Sequence, residues 1–391
     1  SLGVVRYVAC NLNDSISVSS IKSELINVVD VETAEYVFSE LLRFLDNAQV
    51  LDPNYFPLNY ISELLKHRGI SLTNIKIIQE KISWYGNFAL RIRRLHKHLE
   101  SLFPEAEVIP VDHHSAHAAS AFYGSGFESA AVLTLDGQGE LATSTLSIAN
   151  GTHIKLLTQT NWPNSLGALY MALTWHLGFD GDDPRYLGFG DEFKVMGMSA
   201  YGKPIYFDIF RQLGSVNEQG QFEINFSNEY IELLPVEGCD GHVEPVFTKW
   251  FSEHLGPRKK KDEPFSQKHY DIASSGQYFI EQIGVDIAKN LKTKCPEESS
   301  ICLAGGVALN GLMNMRILQD AGFSNVFIQP ASGDDGTSLG AAWHVYHEHL
   351  HKKRCAGIDN VFFGLDYDSS SIQAELETYK LQFSQPKSIH V

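Results

Sequence analysis

The chain has 391 residues, 43% of them hydrophobic and 20% charged, with a formal net charge of −16. That length exceeds one small core and predicts two lobes of ordinary domain size, while the acidic balance argues against nucleic acid or another polyanion as partner. No apolar run is long enough to cross a membrane and no segment reads as a signal peptide; the five cysteines, at 10, 239, 295, 302 and 355, show no paired metal spacing, so a reduced, cytoplasmic setting is expected.

The N-terminal stretch alternates strand-like runs with turns: Val4–Cys10, the turn Asn11–Ser15, then Ile16–Ile21 and Glu24–Val29. Residues 33–46 and 87–103 read as amphipathic helices. Leu41, Leu42, Phe44 and Leu45 of the first, and Leu90, Ile92, Leu95 and Leu99 of the second, read as core. The basic residues from Arg91 to His98 read as a solvated face.

From Val111 the chain runs Asp112-His113-His114-Ser115-Ala116-His117-Ala118. Pro110 can open a helix there, and the alanines favour one. On a helix, His113 and His117 share a face, and two such imidazoles can hold one metal ion at roughly 2.0–2.2 Å each. A histidine-rich surface helix is the alternative. His114 is rotated off that face. Next, Ala131–Leu135 is an apolar run ending in Asp136-Gly137, which reads as a buried strand feeding a tight turn. Asp136 is either a carboxylate presented at a strand end, where open α/β sheets place ligand chemistry, or part of a hairpin turn. Gly137 and Gly139 let backbone N–H groups approach an anion.

A helix is expected over Ala168–Leu177, then a loop rich in Gly and Asp over Gly178–Gly190. Glu192 and Lys194 alternate with apolar neighbours and read as one face of a strand. Gln221–Phe226 reads as another strand. Arg258-Lys259-Lys260-Lys261 reads as a mobile, solvated loop, with a phosphate contact as the alternative. Residues 270–293 form a long amphipathic helix. Residues 301–304 read as a strand running into Gly305-Gly306, with a helix beginning near Leu309. That turn brings backbone close to a flat ligand or phosphate, or is a plain crossover. Asp334 and Asp335 stand at another helix start, where N-capping is the alternative use of either. A helix over Ser338–His351, the stretch Phe362–Tyr367 and a short helix near Ser371–Tyr379 complete the chain.

Several of these segments together resemble one family. HHSAHAASAF, LTLDGQGE, NSLGALYMALTWHLGF, DEFKVMGMSAYGKP, LAGGVALNGLMN and QPASGDDGTSLGAAW occur in that family's order between about residues 110 and 345. The chain resembles the carbamoyltransferases of antibiotic and nodulation-factor biosynthesis. The resemblance implies the α/β fold shared with threonylcarbamoyl-transferring enzymes of tRNA modification and, more remotely, with actin, heat-shock chaperone ATPases and sugar kinases. Two actin-like lobes would flank a central cleft, one over residues 1–127 and the other over 128–391, C-terminal helices included.

The resemblance also implies a chemistry. The donor would be carbamoyl-adenylate, and a hydroxyl or amine of a small-molecule acceptor would attack it. A metal, Fe(II) or Zn(II), would be held by His113, His117, Asp136 and Asp334, with Asp335 behind them. Gly305, Gly306 and Asn310 would hold the adenosine, Gly137, Gly139 and Gly333 would lie near phosphates, and Lys194 would touch the ligand. The chain departs from the family where His-Asp-Ser is expected after the first strand: it has Asn13-Asp14-Ser15. Asn13 cannot accept a proton as histidine can, which leaves Asp14, a metal-bound hydroxide or the acceptor's own amine as base. Asn225 stands where the family often has a carboxylate. A YrdC-like domain, which would make the adenylate from ATP and carbamoyl phosphate, is not recognisable in the chain; that activity is expected elsewhere in a longer protein or on a partner. Two rival readings are an ATP-hydrolysing or kinase enzyme of the same fold, and a non-catalytic nucleotide-binding domain.

Overall fold

The structure, a computed structural model, describes residues 7–10, 95–140, 142–181, 189–225, 232–235, 243–246, 248–361 and 367–384. The chain divides into two compact units, Ser1–Gly357 and Ile358–Val391. In the first, β1 (Tyr7–Cys10) pairs in parallel with β2 (Glu107–Pro110). Helix α1 (His113–Ser125) follows, then the antiparallel β3 (Ser129–Gly139), β4 (Ala142–Asn150) and β5 (His153–Asn161). Next come α2 (Leu166–His176) and α3 (Glu192–Met198). Two short hairpins pair β6 (Gly214–Val216) with β7 (Phe222–Ile224) and β8 (Glu232–Pro235) with β9 (Val243–Val246). Helices α4 (Thr248–Leu255) and α5 (Gln267–Lys294) lead to β10 (Ser300–Ala304), α6 (Gly311–Asp320), β11 (Asn325–Ile328) and α7 (Thr337–His344).

The central sheet has the order β11-β10-β3-β4-β5. β3 and β10, the two apolar runs of the sequence, are parallel neighbours, with Ile301 opposite Ala131 and Leu303 opposite Leu133. Both are buried on both faces, as parallel strands covered by helices must be. Ala131, Leu133, Ile301 and Leu303 pack into the large core with α2 and α5. The alternate residues Ala130, Val132, Cys302 and Ala304 face α1. Eleven of the thirteen α1 residues are buried, including His113, His114 and His117. The alanines explain this: they let α1 lie close on the sheet while α7 closes over it, Ala341 and Val345 packing with Ala116. A surface helix is thereby excluded.

Four expectations are corrected. β3 does not turn at Asp136-Gly137. It runs on to Gly139, with a bulge between Leu135, opposite Ser144, and Gly139, opposite Ala142. Glu192 and Lys194 stand on helix α3, not on a strand, because Val195 and Met198 are buried at helical spacing. Arg258 and Lys259 are anchored: the Arg258 guanidinium lies over Trp175, and Lys259 is buried with its ammonium over Phe265. Finally, of the helix expected over 87–103, residues 95–102 are described as helical, and there Leu95 is exposed and Leu99 only half-buried. The helix over 33–46 and positions 13 and 14 lie outside the described residues.

In the second unit, α8 (Ser369–Thr378) is capped by Asp368, whose carboxylate accepts from the Ser371 N–H at 2.7 Å, and it buries no residue. Among the described residues, no helix is long and apolar enough to cross a membrane.

Candidate metal centre

The bulge in β3 aims one carboxylate at two imidazoles. Three residues, 136 to 138, stand against the single residue 143 of β4, and such bulges re-aim side chains. Asp136 Oδ2 lies 2.9 Å from His113 Nε2 and 3.0 Å from His117 Nε2, and the two nitrogens are 3.0 Å apart. Asp334, from the short 3₁₀ turn Asp334–Gly336 ahead of α7, places Oδ1 at 3.3 and 3.5 Å from the same nitrogens. The other Asp136 oxygen is held by backbone: Gly137 N–H donates to Oδ1 at 2.7 Å and Gly306 N–H at 3.2 Å. Their N–H groups thus orient this carboxylate.

These four donors could hold a metal ion, and their spacing fits one. Donors about 2.1 Å from an ion and at right angles around it stand about 3.0 Å apart, which is the separation of His113, His117 and Asp136. Two imidazoles and carboxylates are the donor set of Fe(II) and Zn(II) sites. The set is lopsided: the Asp334 side chain is 74% exposed, against 7%, 0% and 12% for the other three.

The electrostatics follow from the same contacts. Burial opposes the imidazolium of His113, but hydrogen bonds to Asp136 and Asp334 prevail and push its pKa up to about 10. His117 is raised against burial in the same way. Burial opposes ionisation of Asp136, yet its bonds to the two histidines hold it well below the usual carboxylate range. The same bonds draw Asp334 down to about 2. The cluster therefore holds a proton at neutral pH that an ion must displace. Binding of a divalent ion at pH 7.5 should release protons, and affinity should rise with pH. Calorimetry in buffers of differing ionisation enthalpy measures this, and a pH-independent affinity between 6 and 9 would contradict it.

His114 serves the fold instead. Its Nδ1 meets Thr134 Oγ1 at 2.7 Å and its Nε2 meets the Ala142 carbonyl at 3.1 Å. Burial pushes its pKa down to about 3, so it stays neutral.

Beside Asp136 a cleft of about 270 Å³ opens. Gly137, Gly306 and Asn310 are on its lining, with Met171, Phe193 and Met196 among its apolar walls and Glu192 as a carboxylate. Asn310 is pinned: its Oδ1 caps α6 by accepting the Met313 N–H at 3.0 Å, and its amide exchanges two 2.9 Å bonds with Gln277. Ser165 ties α2 to the bulge, its hydroxyl donating to the Gly137 carbonyl at 2.6 Å. The remaining candidates lie off this lining. Lys194 pairs with Asp191. Gly305 has φ +93°, and a Cβ there would lie 2.1 Å from the Leu135 carbonyl oxygen. Gly333 and the exposed Asp335 flank Asp334 in the 3₁₀ turn. Gly139 lies under the His113 ring, where a Cβ would come within 2.2 Å. Asn225 is exposed and lines neither cleft nor metal site. One residue escaped the sequence reading: Glu140, buried, whose carboxylate oxygens accept the His113 backbone N–H at 3.2 and 3.3 Å. The only signal for it was a glutamate closing the Asp-Gly-Gln-Gly stretch.

Residues 35–343 match the family model described as "Carbamoyltransferase N-terminus". An uncharacterized protein of Synechocystis sp., sll1178, is 35% identical over 68% of the chain, and the nodulation protein NolNO of Sinorhizobium fredii is 32% identical over 68%. The chain spans only 41% and 35% of those two proteins. Among solved structures, T. kodakarensis HypF covers 64% of the chain and is covered over 38% of its own, at 18% identity and a TM-score of 0.32.

Proposed function

The chain belongs to the carbamoyltransferase family, and from that premise we propose that it moves a carbamoyl group from carbamoyl-adenylate to a hydroxyl or amine of a small-molecule acceptor. The observation that supports this reading is the convergence of His113, His117, Asp136 and Asp334 at the edge of a mostly apolar cleft. These residues would hold Fe(II) or Zn(II). Such an ion acts as a Lewis acid towards charge developing on a carbonyl or phosphate oxygen. Asp136 would do two tasks at once: Oδ1 takes the Gly137 and Gly306 N–H groups, which leaves Oδ2 as the oxygen it would offer a metal. The apolar walls Met171, Phe193 and Met196 suit an adenine ring, and the Glu192 carboxylate suits ribose hydroxyls. The two-lobe division at about 127/128 belongs to this proposal, as does the supply of carbamoyl-adenylate from ATP and carbamoyl phosphate by a YrdC-like domain or partner. An ATPase or kinase working with Mg²⁺ would prefer oxygen donors, and the paired imidazoles argue against it.

Calorimetry with a non-hydrolysable carbamoyl-adenylate analogue tests the reading. Binding is expected with the metal-loaded chain and should weaken about tenfold or more without metal, the loss of one charge-assisted contact. Metal-independent affinity would refute the placement of the ion against the donor. No binding in either state would refute the donor.

A further inference from the structure

We propose that Glu140 is a positioning residue for the metal ligands, and this rests on the reading of the four donors as a metal centre. Glu140 directly follows the bulge and has φ +46°, in the left-handed region that residues with a side chain seldom occupy. Its carboxylate is nevertheless buried, with its two oxygens 3.3 and 3.2 Å from the His113 N–H in the first turn of α1. Asp112, the residue at the helix cap, makes no side-chain capping bond. The capping carboxylate therefore comes from the residue that follows β3, and the partial positive charge of the helix N-terminus also favours it there.

One five-residue stretch thus grips His113 twice. Asp136, at its start, takes the imidazole Nε2 at 2.9 Å, and Glu140, at its end, takes the backbone N–H. Between them Gly139 leaves room for the ring. The last ladder pair, Gly139 with Ala142, is already made before Glu140, so the strand pairing does not need this carboxylate. What Glu140 fixes is the distance from α1 to the bulge, and hence the separation of His113 from Asp136. Partners behind a metal ligand tune its geometry in this way.

The test uses Co(II) as probe on the whole chain, reading dissociation constant, visible spectrum and thermal midpoint. Glu140→Ala should bind Co(II) about 10–100-fold more weakly, with an altered spectrum. Glu140→Gln keeps an oxygen acceptor and should stay within a few-fold of the unmodified chain. If Glu140→Ala does not fold, Glu140→Asp takes its place: one methylene shorter, it should weaken binding in the same range. Unchanged Co(II) affinity and spectrum in the tested variant, even with a lower midpoint, would overturn the inference and leave Glu140 a purely structural cap. Failure of the unmodified chain to bind Co(II) would overturn the metal reading, and this inference with it.

Discussion

On the proposed metal reading, His117→Ala should abolish metal binding while leaving the chain folded, and His114→Ala should keep metal binding at the expense of stability. The two histidines are nearly equally buried on one helix, yet they face different partners. His117 Nε2 meets His113 and Asp136, and its loss opens the donor set. The affinity should fall by more than the roughly 10–100-fold expected for an outer partner of a ligand. His114 bridges Thr134 and the Ala142 carbonyl. Its truncation strands buried polar groups, at about 1–3 kcal/mol, and leaves a cavity besides. Metal content by elemental analysis, beside denaturant melts, separates the two. Equal metal in both purified variants would count against the ligand assignment.

Gly305→Ala should be among the most damaging single changes in the molecule. The backbone there is left-handed at φ +93°, and the added methyl would meet the Leu135 carbonyl oxygen at 2.1 Å. Strain in that region and overpacking against a central strand together suggest about 2–5 kcal/mol. The displaced strand end carries Asp136, so metal affinity should fall as well. Gly333→Ala is the control. The nearest atom to its added methyl is Leu309 Cδ1 at 4.0 Å, and its effect should stay within about 0.5 kcal/mol. Equal denaturant midpoints for the two variants would show that the β3–β10 contact is looser than described.

Much of the frame was legible because it is written in periodicity. The apolar runs at 131 and 301 had to be buried strands, and they are neighbours. The His113–His117 spacing had to share a helix face, and their ring nitrogens meet. What was illegible depended on residues far apart in the chain. Asp-Gly is a turn signal locally, but pairing with β4 carries β3 through it as a bulge. Glu192–Met196 alternates like a strand, yet the burial of Val195 and Met198 against distant elements selects a helix. The Arg258–Lys261 run looks solvated until Trp175, some eighty positions earlier, lies beneath Arg258. The role of Glu140 was illegible beyond its place after Asp-Gly-Gln-Gly, since nothing local joins a glutamate to a helix N–H 27 residues before it.

The uneven exposure of the four donors has a kinetic side. His113, His117 and Asp136 close the inner wall, and Asp334 stands alone at the surface. On the proposed metal reading, an ion held by this set would be reached most readily from the side of Asp334, the exposed donor among the described residues. The turn carrying Leu309, on the lining of the cleft, adjoins the turn of Gly333 and Asp334. A ligand extending from the cleft over that edge would cover the exit. Chelators would then compete with the bound ligand more than with the protein, and the lifetime of the ion would be set by the residence time of whatever occupies the cleft.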